Sequence, residues 1–131
     1  MKFGKIVVYV ADVDATLAFY EKAFGFKTRV AQAGSFGELD TGETSISFAS
    51  FQTGQYHHLP EGNTYGPPNA ISFEITLVAN NVEEAFKKAV EAGATPLVEP
   101  TLKPWGQTSS YLRAPDGTVI DLSSPAPQYN K

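Results

Sequence analysis

The sequence predicts an α+β fold made of two βαβββ units. Three observations carry this. Two amphipathic helical patterns each follow a strand-like run, and three further strand-like runs follow each helix. Adding 69 to a number in the first half lands on its counterpart in the second: Val13 on Val82, Leu17 on Phe86, Lys5 on Glu74. The hairpins align with an offset of 74, matching Ile46 with Ile120 and Ser47 with Asp121.

The first strand is the run from Lys5 to Val10. Asp12 suits a helix N-cap, Val13, Leu17, Tyr20 and Phe24 recur at helical spacing, and Gly25 suits the C-cap. Strands then follow over Phe26 to Ala31, Phe36 to Asp40 and Ser45 to Phe51, with Thr41-Gly42 as a turn signal. The stretch Gln52 to Asn69 holds Gly, Pro and the pair His57-His58, and serves as a connector. The second unit opens with a strand over Ile71 to Val78. Asn81 and Glu84 form a capping box for a helix that buries Val82, Phe86, Ala89 and Val90 and stops at Gly93. Its three strands are Thr95 to Val98, Thr108 to Arg113 and Val119 to Ser123, the last two joined by the hairpin signal Asp116-Gly117.

One βαβββ unit carries a curved, half-open sheet and cannot bury both faces alone. Two such sheets facing each other make a cleft, where a ligand would sit. The chain is thus one domain over 1–131, with repeat units at 1–51 and 70–125 and a connector at 52–69.

Composition narrows the function. Ten basic against fourteen acidic residues give a net charge of −4, which offers no basic footprint for nucleic acid. The absence of cysteine rules out a disulfide framework, a thiolate metal site and a cysteine nucleophile. The longest early apolar run, Ile6 to Ala11, is too short for a secretory or membrane segment. The expectation is a soluble cytoplasmic protein without nucleic-acid or membrane partners.

The pattern resembles the glyoxalase / bleomycin-resistance / dioxygenase (vicinal oxygen chelate) superfamily. The residues that carry the resemblance are Ile6 to Val13, then Leu17-Ala18-Phe19-Tyr20 leading to Gly25-Phe26, and Val82 to Ala85 leading to Ala92-Gly93-Ala94. Ala114-Pro115-Asp116-Gly117 followed by Val119-Ile120-Asp121-Leu122 completes it, and Pro104-Trp105-Gly106-Gln107 resembles a loop of a bacterial branch. The resemblance implies a glyoxalase-like fold, a homodimer, and a small-molecule ligand. The superfamily spans metal-dependent isomerases, dioxygenases, epimerases and thiol transferases as well as metal-free proteins that sequester antibiotics, so the site must choose.

Metalloenzymes of that superfamily take ligands, usually two His and two Glu, from the first and last strands of each unit. The matching positions here are Lys5 and Ser47, then Glu74 and Asp121. An ammonium has no lone pair to give and a serine is a weak donor. Glu74 and Asp121 could hold a hard cation such as Mg2+; otherwise Lys5 pairs with Glu74, and Asp121 bonds the hydroxyls of Thr118 and Ser123. No cofactor is expected, with a divalent metal as the alternative. One of the two histidines could reach a ligand if the connector folds over the cleft.

Sixteen aromatic residues exceed what a small core requires. Trp105, Tyr111, Tyr9, Phe48 and Tyr56 are candidates to line the cleft, where rings stack on planar ligands and surround cations. Arg113 shares a face with Tyr111 by the period of two and could meet an anionic group; Glu38 could receive a cationic one. Two functions follow. The first is a metal-free binding protein sequestering an aromatic antibiotic. The second is a lyase or isomerase with Glu74 as base and a weakly bound divalent metal, or Lys5 in its absence, to stabilise the developing negative charge.

Overall fold

The computed structural model describes residues 5–56 and 74–125. The chain divides into two compact units, Met1–Thr64 and Tyr65–Lys131. The first runs β1 (Ile6–Val10), α1 (Val13–Phe24), β2 (Lys27–Gln32), β3 (Phe36–Asp40), β4 (Ser45–Ser50) and α2 (Phe51–Tyr56). The second runs β5 (Glu74–Val78), α3 (Val82–Glu91), β6 (Thr95–Leu102), β7 (Thr108–Arg113) and β8 (Val119–Ser123). This is the α+β, twice-repeated βαβββ architecture that the sequence predicts.

Each unit is an open four-stranded sheet, ordered β1-β4-β3-β2 in one and β5-β8-β7-β6 in the other. In both, the first strand pairs in parallel with the last and the remaining pairs are antiparallel. The antiparallel pairs form hairpins, whereas a parallel pair needs a longer crossover that includes the helix. The register repeats as well as the order: Val7 pairs with Ser47 and Thr76 with Asp121, which reproduces both sequence offsets. Lys5 and Glu74 therefore hold equivalent places.

Local chemistry sets the helix ends. The Asp12 side chain accepts from the Ala15 N–H at 2.9 Å, and Gly25 takes the left-handed conformation (φ 78°) that stops α1. The Asn81 side chain likewise accepts from the Glu84 N–H at 3.1 Å to start α3. The α1 core residues Val13, Leu17 and Tyr20 are buried together with Val8, Leu39, Ile46 and Phe48 of the sheet. A Cβ on Gly37 would stand 2.6 Å from Leu17 Cδ1, so glycine alone lets α1 come this close to β3.

Three boundaries differ from the sequence expectation. β4 stops at Ser50, one residue early, because the Ser50 hydroxyl accepts the Thr53 N–H at 3.1 Å and starts α2 where a connector was expected. β2 is shifted by one residue, from the expected Phe26–Ala31 to Lys27–Gln32. β6 runs to Leu102, four residues beyond Val98, through Pro100. An edge strand tolerates proline, and this one slips register twice. Ile71 to Phe73, His57, His58 and Tyr65 lie outside the described residues, as does the side chain of Tyr56. Among the described residues no helix is long and apolar enough to cross a membrane.

Candidate functional site

In the first unit, β-sheet register puts Val7, Ser47 and Glu38 in one row and Tyr9, Ala49 and Phe36 in the next. Residues in these rows share a face. Phe48 falls on the other face, fully buried, with its ring centroid 5.0 Å from that of Tyr20 in α1. This corrects its assignment as a ligand-lining residue: the alternation that places Ser47 on one face commits Phe48 to the core.

Glu38 is the hub of the first-unit face. Its Oε2 accepts from Arg29 Nε at 3.1 Å and Nη2 at 2.7 Å. Its Oε1 accepts from Lys5 Nζ at 3.4 Å and Ser47 Oγ at 3.2 Å. The hydrogen-bonded Arg29 guanidinium holds the Glu38 carboxyl below the usual range, against burial, with Lys5 and Ser47 adding to the effect. The Lys5 ammonium also stands 4.9 Å from the centre of the Phe36 ring. Within its own sheet the ion-pair partner of Lys5 is Glu38. Glu38 does receive cationic groups, and they are the chain's own.

In the second unit, Thr76, Asp121 and Tyr111 form the equivalent row, and Glu74, Val119 and Arg113 the next. Asp121 accepts from Thr76 Oγ1 at 3.3 Å and from Ser123 Oγ. The expected Thr118 contact is absent because that hydroxyl donates to Asp116 at 2.7 Å inside the β7–β8 turn. Burial first, then the charges of Asp121 and Glu74, push the Tyr111 phenol above its ordinary value. The phenol thus stays protonated beside two carboxylates. Arg113 shares this face, and its guanidinium donates to the Gly117 carbonyl at 2.9 Å, which braces the hairpin.

Trp105 is 54 % exposed in the β6–β7 turn. Its indole N–H donates to Gln107 Oε1 at 2.9 Å, and the Gln107 amide donates to the Ser124 carbonyl at 2.9 Å. Backbone bonds from Lys103 N to Gln107 O (2.8 Å) and from Gly106 N to Lys103 O (2.9 Å) close the turn. The ring is presented on a braced turn.

A transition metal does not suit the first-unit positions. Lys5 is a hydrogen-bonded ammonium, and Ser47 spends its hydroxyl on Glu38. Among the described residues no three or more His, Cys, Asp or Glu side chains gather as a metal-holding group. Glu74 and Asp121 supply two carboxylates, a donor set for a hard cation at most. Sequence reasoning missed Arg29, Thr76 and Gln107. Thr76 comes opposite Asp121 only through the parallel pairing of β5 with β8, which the sequence offsets do not supply. Arg29 sits at a bulge between Thr28 and Val30 that no residue pattern announces.

Comparison with known proteins bears on the whole chain. The profile of the Glyoxalase/Bleomycin resistance protein/Dioxygenase superfamily matches residues 2–122. A glyoxalase/bleomycin resistance protein/dioxygenase family enzyme from Burkholderia phytofirmans PsJN has a similar structure, with TM-score 0.80 at 22% identity over 92% of this chain and 96% of that one. A glyoxalase-related enzyme from Fulvimarina pelagi gives 0.79 at 16% identity, over 95% and 88%. An integron cassette protein from the mobile metagenome of V. cholerae gives 0.65 at 28% identity, over 96% and 98%. No curated protein matched.

Proposed function

The chain belongs to the Glyoxalase/Bleomycin resistance protein/Dioxygenase superfamily, and from the residues at that family's ligand positions we propose that it is a metal-independent small-molecule binding protein. The observation that carries this is the pair of positions in the first unit: Lys5 and Ser47, both engaged by Glu38.

The second unit suggests the ligand. Glu74 and Asp121 give its open sheet face negative charge, Tyr111 adds a ring and a phenolic hydroxyl, and Trp105 offers an exposed indole. Rings of this kind attract flat and cationic groups, and carboxylates favour a protonated amine. A basic aromatic compound fits, an antibiotic of that chemistry included. Thr76 and Ser123 orient the Asp121 carboxylate by hydrogen bonds, so its geometry is set before a ligand arrives.

The test is calorimetry of purified protein against basic aromatic antibiotics, with and without chelator. Saturable binding that survives chelation and weakens in Asp121→Asn supports the proposal. Turnover of a substrate that depends on added metal and on Glu74 would replace it with the lyase or isomerase alternative.

A further inference from the structure

A groove of about 530 Å³ runs between α3 and β6, within the second unit. Its lining includes none of the sheet-face residues Glu74, Thr76, Tyr111, Arg113 and Asp121 or Trp105. Phe86 and Val90 of the helix and Pro96 and Pro100 of the strand supply its apolar lining, with Glu83, Lys87, Glu91 and Glu99 around them. Its volume falls in the range of small-molecule sites.

The first unit bridges the same helix–strand junction with side chains. There, Glu21 of α1 accepts the Thr28 N–H of β2 at 3.1 Å, and the Phe24 and Phe26 rings meet at 6.2 Å across the helix–strand junction. Adding 69 along the helix gives Val90 and Gly93 for Glu21 and Phe24, and strand register sets Pro96 and Ala94 in the places of Thr28 and Phe26. The hydrogen-bonding carboxylate and both bulky rings are lost together. β6 is also bulged and carries two prolines without N–H groups, so strand addition at this edge is poorly supported.

Charge selects the occupant. Three carboxylates oppose one ammonium, and among the described residues none of these four side chains makes a hydrogen bond or ion pair. Glu83, Lys87 and Glu91 are spaced four apart on one helix face, so Lys87 can offset one of its neighbours, while Glu99 stands on the strand wall. We propose that the groove binds a small organic cation with an apolar body, the ammonium held by the carboxylates and the body laid on Phe86, Val90 and the prolines.

The test is NMR mapping on 15N-labelled full-length chain with hexylamine, and with hexanoate as the probe of equal body and opposite charge. Hexylamine should shift the amide signals of Phe86, Val90 and Glu99 saturably, less so at high salt. Hexanoate should not. Glu83→Gln with Glu99→Gln should weaken the amine about fivefold, and Val90→Trp should fill the groove and abolish the shifts. Absence of groove shifts, equal shifts with hexanoate, or unchanged affinity in the double glutamine variant would overturn the proposal. Hexylamine has no ring for Trp105 or Tyr111 to stack on, so its failure leaves the sheet-face proposal standing.

Discussion

Lys5 reaches past strand β4 to bring its ammonium within 3.4 Å of Glu38 Oε1 on β3. The first-strand position that the family resemblance matches to a metal ligand thus holds a cation already paired. The second unit has no such cation at the equivalent place, where Glu74 stands exposed. The two repeats thus share a backbone and differ in the sign of charge they present.

Glu38 and Asp116 give opposite pH signatures. The Glu38 carboxyl is held low in the folded protein, so its stabilisation is present above about pH 4.5 and is lost as pH falls through the depressed folded value. Because Lys5 and Arg29 are about half exposed, Glu38→Gln should cost only about 0.5–1 kcal/mol near neutral pH and flatten the acid limb. Burial raises the Asp116 carboxyl, partly offset by the Thr118 hydroxyl and backbone N–H groups, and its Oδ1 has no hydrogen-bond partner among the described residues. Its contribution grows as pH falls through that raised value, so Asp116→Asn should stabilise the neutral-pH protein. Thermal unfolding of each variant between pH 3 and 8 checks both signs.

Tyr111 reports on the charge of the second-unit face. Its phenol should ionise above the ordinary tyrosine value, and Asp121→Asn should bring it down while Glu38→Gln leaves it in place. NMR titration of the labelled tyrosine ring carbon measures this directly. An unmoved Tyr111 would remove the electrostatic argument for a cationic ligand.

Phe48 is core. Phe48→Leu should lower stability by about 1 kcal/mol or more, yet leave ligand affinity unchanged once corrected for the folded fraction. Urea unfolding and calorimetry on the same sample separate the two. A loss of affinity with stability intact would return Phe48 to the binding face.

The β2–β3 turn holds a correctable strain. Ala33 has φ 46° and Gly34 φ 80°, and the Ser35 N–H donates to the Gln32 carbonyl at 2.9 Å. Two successive positive φ values make this the hairpin turn that favours Asn-Gly. Ala33→Asn should therefore raise stability by about 0.5–1 kcal/mol in urea unfolding, with no effect on binding.

The fold was legible because both its signals are local and repeated. Helical spacing with Asp12, Gly25 and Asn81 at the ends located α1 and α3, and two numerical offsets matched the strands of one unit to those of the other. What failed was either a competition or a non-local partner. Ser50 could continue a strand or cap a helix, and its bond to Thr53 decides the matter. The Lys5–Glu38 pair is non-local, and only the hairpin pairing of β3 with β4 reveals that Glu38 lies beside Ser47. Residue type alone suggests a ring for the ligand face at Phe48, whereas its parity relative to Ser47 puts it on the opposite, buried face.

The most direct test of metal-independent binding uses Trp105, the single tryptophan of the chain. A fluorescence titration with a basic aromatic antibiotic that binds is run in chelator and again with added Zn2+, Ni2+ or Mn2+. The same saturable change with the same midpoint under all conditions, weakened several-fold in Asp121→Asn, is the expected result. A signal that appears only with metal, and vanishes in Glu74→Ala, would contradict the account.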